Sequence, residues 1–152
     1  MMSQPSAARL LEVVRKDLSE NVLPAIADPQ TTANLQMVLH VLETIGVRVQ
    51  HEIAWMCEEV GAAQELGASL AGELPLAGAL TAALDSLNQA PLVSLHLDDV
   101  MARYALGSEV LSCLLEQVPP DHPRRSDVER LLGDRLAHEV AVMGEFALVG
   151  RS

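Results

Sequence analysis

The sequence predicts an all-α protein, an up-and-down bundle of four to five helices organised around one long helix at about residues 32–70. Hydrophobic residues make up 49% of the chain and aromatic residues only 2%, so Leu, Val, Ala and Met must build the core. This aliphatic composition with few β-branched runs favours helix over strand. At 152 residues the chain suits a single domain, residues 1–152, that needs no metal or disulfide to fold.

The first predicted helix begins near Pro5, with Ser3 or Gln4 as its cap, because proline is well suited to a first helical turn. Pro24 should kink or end it near residue 23, since proline removes a backbone donor. The short connection that follows predicts an antiparallel hairpin with the second helix. The apolar stripe of this first helix consists of Leu10, Leu11, Val14, Leu18 and Val22.

The second predicted helix carries an apolar seam whose members recur at alternate spacings of three and four. The small residues Gly46, Ala63 and Gly67 within this seam should let a neighbouring helix approach closely. The seam consists of Leu35, Leu39, Leu42, Gly46, Val49, Ile53, Met56, Val60, Ala63, Gly67 and Leu70.

Length is the unusual property of this second helix. At 1.5 Å per residue it would span about 57 Å, which is long for a single domain. We therefore expect either a break near Gly61 or Gly67 or an overhang that packs on another subunit. Thr31 or Thr32 is the expected N-cap.

Three shorter segments complete the predicted bundle. The third helix ends near Asn88, before Pro91, and its apolar positions are Leu76, Leu80, Ala83, Leu84 and Leu87. The fourth occupies about residues 95–118, with a kink expected at Gly107, and buries Val100, Met101, Tyr104, Leu111, Leu114, Leu115 and Val118. The fifth begins at the capping box of residues 126–129, where Ser126 precedes Glu129 by three positions. Its apolar positions are Val128, Leu131, Leu132, Leu136, Val140, Met143 and Ala147.

Charge and cysteine usage limit the classes of partner. The formal net charge is −11 and Lys16 is the only lysine, so a phosphate backbone is an improbable ligand and we expect no nucleic-acid binding. Cys57 and Cys113 form no CxxC motif, and two buried, reduced thiols are expected. The N-terminus lacks a signal-peptide pattern, and the most apolar run, residues 74–84, is too short to span a bilayer. These features predict a cytoplasmic protein without a membrane partner.

Four polar residues of the second helix are candidates for a metal site: His40, Glu43, His51 and Glu58. They fall within an arc of about 80° beside the apolar seam. His40 and His51 are separated by about 16 Å along the helix, which is too far for one metal ion. A di-iron bundle would also need Glu-x-x-His motifs, which the sequence lacks. We interpret the four residues as a solvated or interface-facing stripe and assign no metal.

Two further features bear on a site. Asp134 and His138 are four positions apart, with Glu145 two turns further on, and an Asp–His pair can orient a general base. Because no Ser- or Cys-centred signature supplies a nucleophile, we interpret the pair as a helix-surface contact. Trp55 lies far from the centre of the seam and marks either an interface or a surface that a later helix covers. The sequence thus assigns no catalytic, cofactor-binding or metal residue.

Residues 5–12 carry the pattern Pro-x-Ala-x-x-Leu-Leu-Glu, and residues 22–25 read Val-Leu-Pro-Ala. With these motifs the chain, mainly over residues 4–60, resembles a family of small, all-helical bacterial proteins of unknown function. Members of that family are typically encoded beside aminoglycoside-phosphotransferase-like kinases and acyl-CoA dehydrogenases. The resemblance implies an accessory subunit that binds and supports such a kinase, which phosphorylates the hydroxyl of a hydroxyacyl-CoA.

The sequence therefore leads to three hypotheses of function. The first is a non-catalytic accessory subunit of a phosphotransferase-like kinase in hydroxyacyl-CoA or acyl-CoA catabolism, without a cofactor. The alternative is a homodimeric helical protein that binds a small apolar ligand between helices. The long helix, its small residues and the methionines favour this alternative. The third is an enzyme that uses His138 or His40.

Overall fold

The computed structural model describes residues 4–72 and 78–143, and within these ranges it contains helices and no strand. The α-helices are α1 (Ala7–Asp17), α2 (Pro29–Leu70), α3 (Gly78–Gln89), α4 (Leu97–Gln117) and α5 (Arg125–Met143). The predicted all-α bundle around one long helix is confirmed. Over the same ranges, no helix combines the length and the apolar character needed to cross a membrane. The expectations for Leu76, Glu145 and Ala147 lie outside the described residues.

Helix α1 begins later than the sequence predicted. Ser6, not Ser3 or Gln4, occupies the N-cap, and its hydroxyl accepts a hydrogen bond from the Arg9 backbone N–H at 3.3 Å. After α1 the chain continues through a π-helical turn, Leu18–Val22, and a 3-10 turn, Leu23–Ala25, that contains the proline. Ile26 is extended, so the helical backbone ends one residue before it.

Helix α2 runs for 42 residues without interruption, and the break expected near Gly61 or Gly67 does not occur. A glycine inside a helix costs only about 1 kcal/mol relative to alanine, which a long run of intrahelical hydrogen bonds tolerates. The two glycines therefore do not end the helix. Whether its length serves a second subunit remains a prediction.

Asp28 caps the start of α2, in place of the expected Thr31 or Thr32. Its carboxylate accepts hydrogen bonds from the Thr31 backbone N–H at 2.7 Å and from the Thr31 hydroxyl at 2.6 Å. Pro29 then occupies the first helical position, where its missing N–H has no consequence. The side-chain and backbone hydrogen bonds from Thr31 hold the pKa of Asp28 below its ordinary value.

The chain forms two compact units, and α2 contributes to both. The N-terminal unit consists of Met1–Glu52 and Val140–Ser152, and the core unit of Ile53–Glu139. Among the described residues, every buried apolar side chain belongs to the core unit. These side chains are Val60, Ala63, Leu66, Leu70, Leu80, Ala83, Leu84, Leu87, Val100, Val110, Leu111, Leu114, Val118 and Val128.

The predicted seam of α2 is buried only in its C-terminal half. Val60, Ala63, Gly67 and Leu70 are buried, as expected. The seam residues from 35 to 56 are half-buried or exposed, and the side chain of Val49 is 51% exposed to solvent. The seam thus forms a core within one unit and a partly covered surface within the other.

Glycines allow α2 and α4 to approach each other closely in the core unit. A Cβ atom on Gly107 would lie 2.8 Å from Val60 Cγ2 and 3.3 Å from Val60 Cα, so this glycine is a contact point between the two helices. The kink at Gly107 stays a prediction. A Cβ on Gly67 would lie 3.0 Å from Val110 Cγ1, which confirms the expected role of that small residue. At Gly46 the same atom would meet nothing within 4 Å, and the expectation for that position was wrong.

Helix α5 buries less of its predicted stripe than expected. Val128 is fully buried and Leu131 is half-buried. Leu136, Val140 and Met143 are 55%, 62% and 55% exposed. Helical periodicity identifies the apolar side of a helix but not how far along the helix another element covers it.

The other two corrections concern α4 and the start of α5. Met101 was expected to be buried and is 51% exposed, whereas Val110 is fully buried. Helix α5 begins at Arg125, so Ser126 lies inside its first turn and not at its cap.

Arginine side chains complete the ends of α3 and α4. Arg125 Nη1 donates to the carbonyl oxygens of Leu115 at 3.1 Å and Val118 at 2.8 Å. Arg103 Nη1 donates to the Leu87 carbonyl at 3.0 Å. The last carbonyls of a helix have no partner within it, so these guanidinium groups satisfy them and neutralise the negative helix end.

Both cysteine thiols are free, as expected, but Cys57 and Cys113 are half-buried and not fully buried. Burial, together with the negative charges of Glu116 and Glu109, raises the pKa of the Cys113 thiol. A raised pKa reduces the thiolate fraction, so Cys113 is a poor nucleophile at neutral pH.

The close contact at Gly107 yields a test of the α2–α4 packing. We expect Gly107→Ala to lower the free energy of unfolding by about 1–3 kcal/mol, because the added methyl group collides with Val60. Gly133→Ala is the matched control, since a Cβ there meets nothing within 4 Å. It should raise stability by up to about 1 kcal/mol through helix propensity.

The measurement is urea unfolding followed by the fluorescence of Trp55, the only tryptophan of the chain. Equal effects of the two substitutions would show that α2 and α4 do not meet at this glycine.

Candidate functional site

The most extensive polar cluster of the described residues surrounds Glu59 in the core unit. Helix α2 supplies Trp55 and Glu59, α4 supplies Tyr104, and α5 supplies Arg135 and His138. We call these five residues the Glu59 cluster. The side chain of Glu59 is only 15% exposed, so its carboxylate depends on protein donors for most of its hydrogen bonds.

Both carboxylate oxygens of Glu59 have a partner. Tyr104 donates its hydroxyl to Oε2 at 2.7 Å, and His138 Nδ1 lies 2.7 Å from Oε1. A carboxylate has only acceptors, so Nδ1 of His138 carries the proton and Nε2 is left as an acceptor when the ring is neutral. The guanidinium of Arg135 is more distant, with Nε at 3.8 Å from Oε2. Two hydrogen bonds and one nearby positive charge thus compensate one poorly solvated negative charge.

Arg135 connects the cluster to α4. Its guanidinium carbon lies 4.6 Å from the centroid of the Tyr104 ring, at a distance suited to a cation–π contact. Its Nη1 donates to the Ser108 hydroxyl at 3.1 Å. The side chain is 27% exposed, so part of the guanidinium remains accessible.

Trp55 stacks on the imidazole of His138, with ring centroids 4.4 Å apart and an interplanar angle of 7°. A later helix therefore covers part of Trp55, in agreement with the second of the two interpretations of this residue. The stack and the hydrogen bond to Glu59 together fix the orientation of the His138 ring.

A cavity of about 270 Å³ adjoins the cluster within the core unit. Glu59, Tyr104, Arg135 and His138 line it, together with Ser108. Acidic Glu58 and Asp134 also line the cavity, and its apolar wall includes Val60, Ala63, Gly107, Leu111 and Leu131. This combination of an apolar wall and a few converging polar groups is typical of small-molecule sites.

The structure does not bring His40, Glu43, His51 and Glu58 together. Glu43 forms a loose ion pair with Arg15 at 3.9 Å in the N-terminal unit, whereas Glu58 lines the cavity of the core unit. Within residues 4–72 and 78–143, no three His, Cys, Asp or Glu side chains are arranged to hold a metal ion.

The carboxylate partner of His138 is Glu59 and not the expected Asp134. Glu59 precedes His138 by 79 positions, and Asp134 contributes only to the cavity wall. Spacing within one helix can suggest a local pair, but it carries no information on a partner from a distant helix. One feature of the sequence could have indicated Glu59: it directly precedes the seam residue Val60. At that position a carboxylate reaches the edge of the core.

Comparison with known proteins adds no relative. The chain matches no protein-family model, no curated protein and no solved structure.

The described contacts pair His138 with Glu59 and leave Ser108 bonded to other groups. Glu59 orients His138 as it would orient a general base, but the Ser108 hydroxyl that lines the same cavity donates to the Tyr104 carbonyl at 2.9 Å. It accepts from Arg135 and has no hydrogen bond to His138, so the pair that would activate a nucleophile is not formed. Tyr104 remains protonated, because burial and the nearby Glu59 raise its pKa well above the ordinary value of 10.0.

The hydrogen bond from Tyr104 to Glu59 can be tested by titration, since Tyr104 is the only tyrosine. We expect tyrosinate absorbance to appear at higher pH in the folded protein than in the urea-unfolded chain, which should titrate near pH 10.0. Because the folded pKa is the higher one, stability is fully present below the unfolded pKa and is lost as pH rises through the folded pKa.

Glu59→Gln provides the control for this titration. It removes the negative charge but keeps the shape, so the midpoint should move back toward the unfolded value without reaching it, because burial still raises the pKa. Identical midpoints in the folded and unfolded wild-type chain would contradict the described surroundings of Tyr104.

Proposed function

We propose that this chain is a non-catalytic accessory subunit that binds and supports a phosphotransferase-like kinase of hydroxyacyl-CoA or acyl-CoA catabolism in the cytoplasm. The observation that carries the proposal is the apolar surface of the N-terminal unit. The identity of the partner rests on the resemblance of residues 4–60.

The apolar surface lies on α1 and on the first half of α2. On α1, Leu10, Val13 and Val14 are 52%, 53% and 48% exposed. On α2, four residues at spacings of three, four and four form a stripe within an arc of about 80°. This α2 stripe consists of Val38, Val41, Ile45 and Val49, which are 47%, 49%, 38% and 51% exposed.

The N-terminal unit does not bury these residues in a core of its own. Within its described part no side chain is fully buried, in contrast to the core unit. Single exposed apolar residues are ordinary on a protein surface, but a row of them along about three turns of helix is typical of a protein–protein contact. The N-terminal unit thus offers an apolar surface to a partner.

The distribution of charge agrees with this use. Residues 1–52 contain six acidic and four basic side chains, whereas residues 53–139 contain fourteen acidic and five basic ones. Most of the net negative charge therefore belongs to the core unit, and the surface around the α2 stripe is closer to neutral. The centres of protein interfaces are depleted in charge in the same way.

Two further points support the proposal. The part of the chain that resembles the kinase-associated family, residues 4–60, includes both apolar surfaces of the N-terminal unit. The surroundings of the Glu59 cluster support a non-catalytic role, because the neighbouring Ser108 hydroxyl is bonded to groups other than His138.

The alternative function, a homodimer that binds a small apolar ligand between its helices, draws on the same α2 stripe. Apolar residues at spacings of three and four pack well against a second copy of the same helix. A second copy would compete with the kinase for this surface, so the two functions predict different complexes.

The decisive experiment is a pull-down of the tagged chain from its native host, with mass spectrometry of the recovered proteins. We expect a phosphotransferase-like kinase at near-stoichiometric amounts. The double variant V41E/I45E should weaken its recovery at least tenfold, because two carboxylates in an apolar contact cost on the order of 1 kcal/mol or more each.

The matched control is M101E/L136E, which places the same charges on exposed helix positions of the core unit, 51% and 55% exposed. It should leave recovery unchanged. Equal recovery with both double variants would show that the α2 stripe is not the interface. A chain recovered alone, with twice the mass of the 16.3 kDa monomer, would favour the homodimer instead.

A further inference from the structure

We propose that the cavity beside the Glu59 cluster binds a small, uncharged molecule with an apolar body and a hydroxyl group. This proposal concerns the core unit alone and does not depend on the accessory-subunit function or on any protein partner.

The size and walls of the cavity define the body of the ligand. Its volume of about 270 Å³ lies just below the usual range of small-molecule pockets, so the ligand has few non-hydrogen atoms. Val60, Leu111 and Leu131 provide aliphatic wall, against which a hydrocarbon chain or ring loses water-exposed surface. Gly107 also lines the cavity, and its missing side chain makes room for Val60.

The hydrogen-bonding capacity of the cluster defines the head group. Both oxygens of Glu59 already accept, and the Nδ1 proton of His138 is used. Within the cluster, Nε2 of His138 remains an acceptor when the ring is neutral, and Arg135 keeps N–H groups that contact neither Ser108 nor Glu59. His138 thus offers an acceptor and Arg135 offers donors, and both residues line the same cavity. A hydroxyl group can donate to the first and accept from the second.

Charged head groups match this pattern less well. A carboxylate or phosphate has acceptors only, so it leaves His138 Nε2 without a donor, and it lies near the negative charges of Glu58 and Asp134. An ammonium group is attracted to Glu58 and Asp134, but it has donors only, so it cannot accept from the Arg135 N–H groups and is repelled by their positive charge. A hydroxyl group is the head group that can pair with both His138 and Arg135.

The fluorescence of Trp55 can report ligand binding at this cavity. Trp55 is the only tryptophan and stacks on His138, so a ligand that binds His138 changes the surroundings of the indole. Its fluorescence can therefore detect occupancy of the cavity without a label.

The test is a fluorescence titration of the full chain with three probes of equal chain length: 1-hexanol, hexanoate and hexylamine. We expect a saturable change with 1-hexanol at millimolar concentration and at least tenfold weaker binding of both ions. Tighter binding of either ion, equal binding of all three probes or no saturable response to 1-hexanol would overturn the proposal.

Two substitutions of alanine by leucine test whether 1-hexanol binds in the cavity. Ala137 lines the cavity at an exposed position of α5, so Ala137→Leu should occupy part of the space and weaken 1-hexanol binding at least fivefold. Ala102→Leu adds the same group at an exposed position of α4 that does not line the cavity, and should leave binding unchanged. Urea unfolding of both variants verifies that they remain folded. If Ala137→Leu binds 1-hexanol as well as the wild type does, the alcohol binds elsewhere and the proposal is wrong.

Discussion

The contact between Val60 of α2 and Gly107 of α4 is the constraint on which the rest of the core unit depends. With aromatic residues at only 2% of the sequence, large side chains are not available to fill space between helices. The backbones must instead approach closely, and a glycine opposite a valine permits this. The same contact positions polar groups, because Glu59 directly precedes Val60 and Tyr104 lies one turn before Gly107. Their 2.7 Å hydrogen bond follows from the helix packing.

Glu59 then organises the polar side of the core. A poorly solvated carboxylate in a chain of net charge −11 needs nearby donors to offset its lost hydration. Tyr104 and His138 supply direct hydrogen bonds, and Arg135 supplies a positive charge at a longer distance. Because these donors come from α4 and α5, satisfying one carboxylate connects three helices. It also leaves one acceptor and several donors for a ligand.

The two units use the same aliphatic composition in opposite ways. In the core unit the apolar residues of α2 are buried against other helices, whereas in the N-terminal unit comparable residues such as Val41 and Val49 remain about half exposed. A continuous helix with one repeating pattern therefore supplies both a core and a surface. The first stabilises the fold, and the second is the basis for the proposed partner.

The helical class, the long helix and most of the buried positions of the third and fourth helices could be predicted from the sequence, because they follow from periodicity and turn residues that are local in the chain. The sequence did not indicate that Asp28 caps α2, that α2 continues through Gly61, or that Leu136 is exposed, since each depends on how neighbouring groups compete or pack. The composition of the Glu59 cluster could be read from the tertiary structure alone. Glu59 and His138 are 79 positions apart, and no local pattern specifies a hydrogen bond between side chains of different helices.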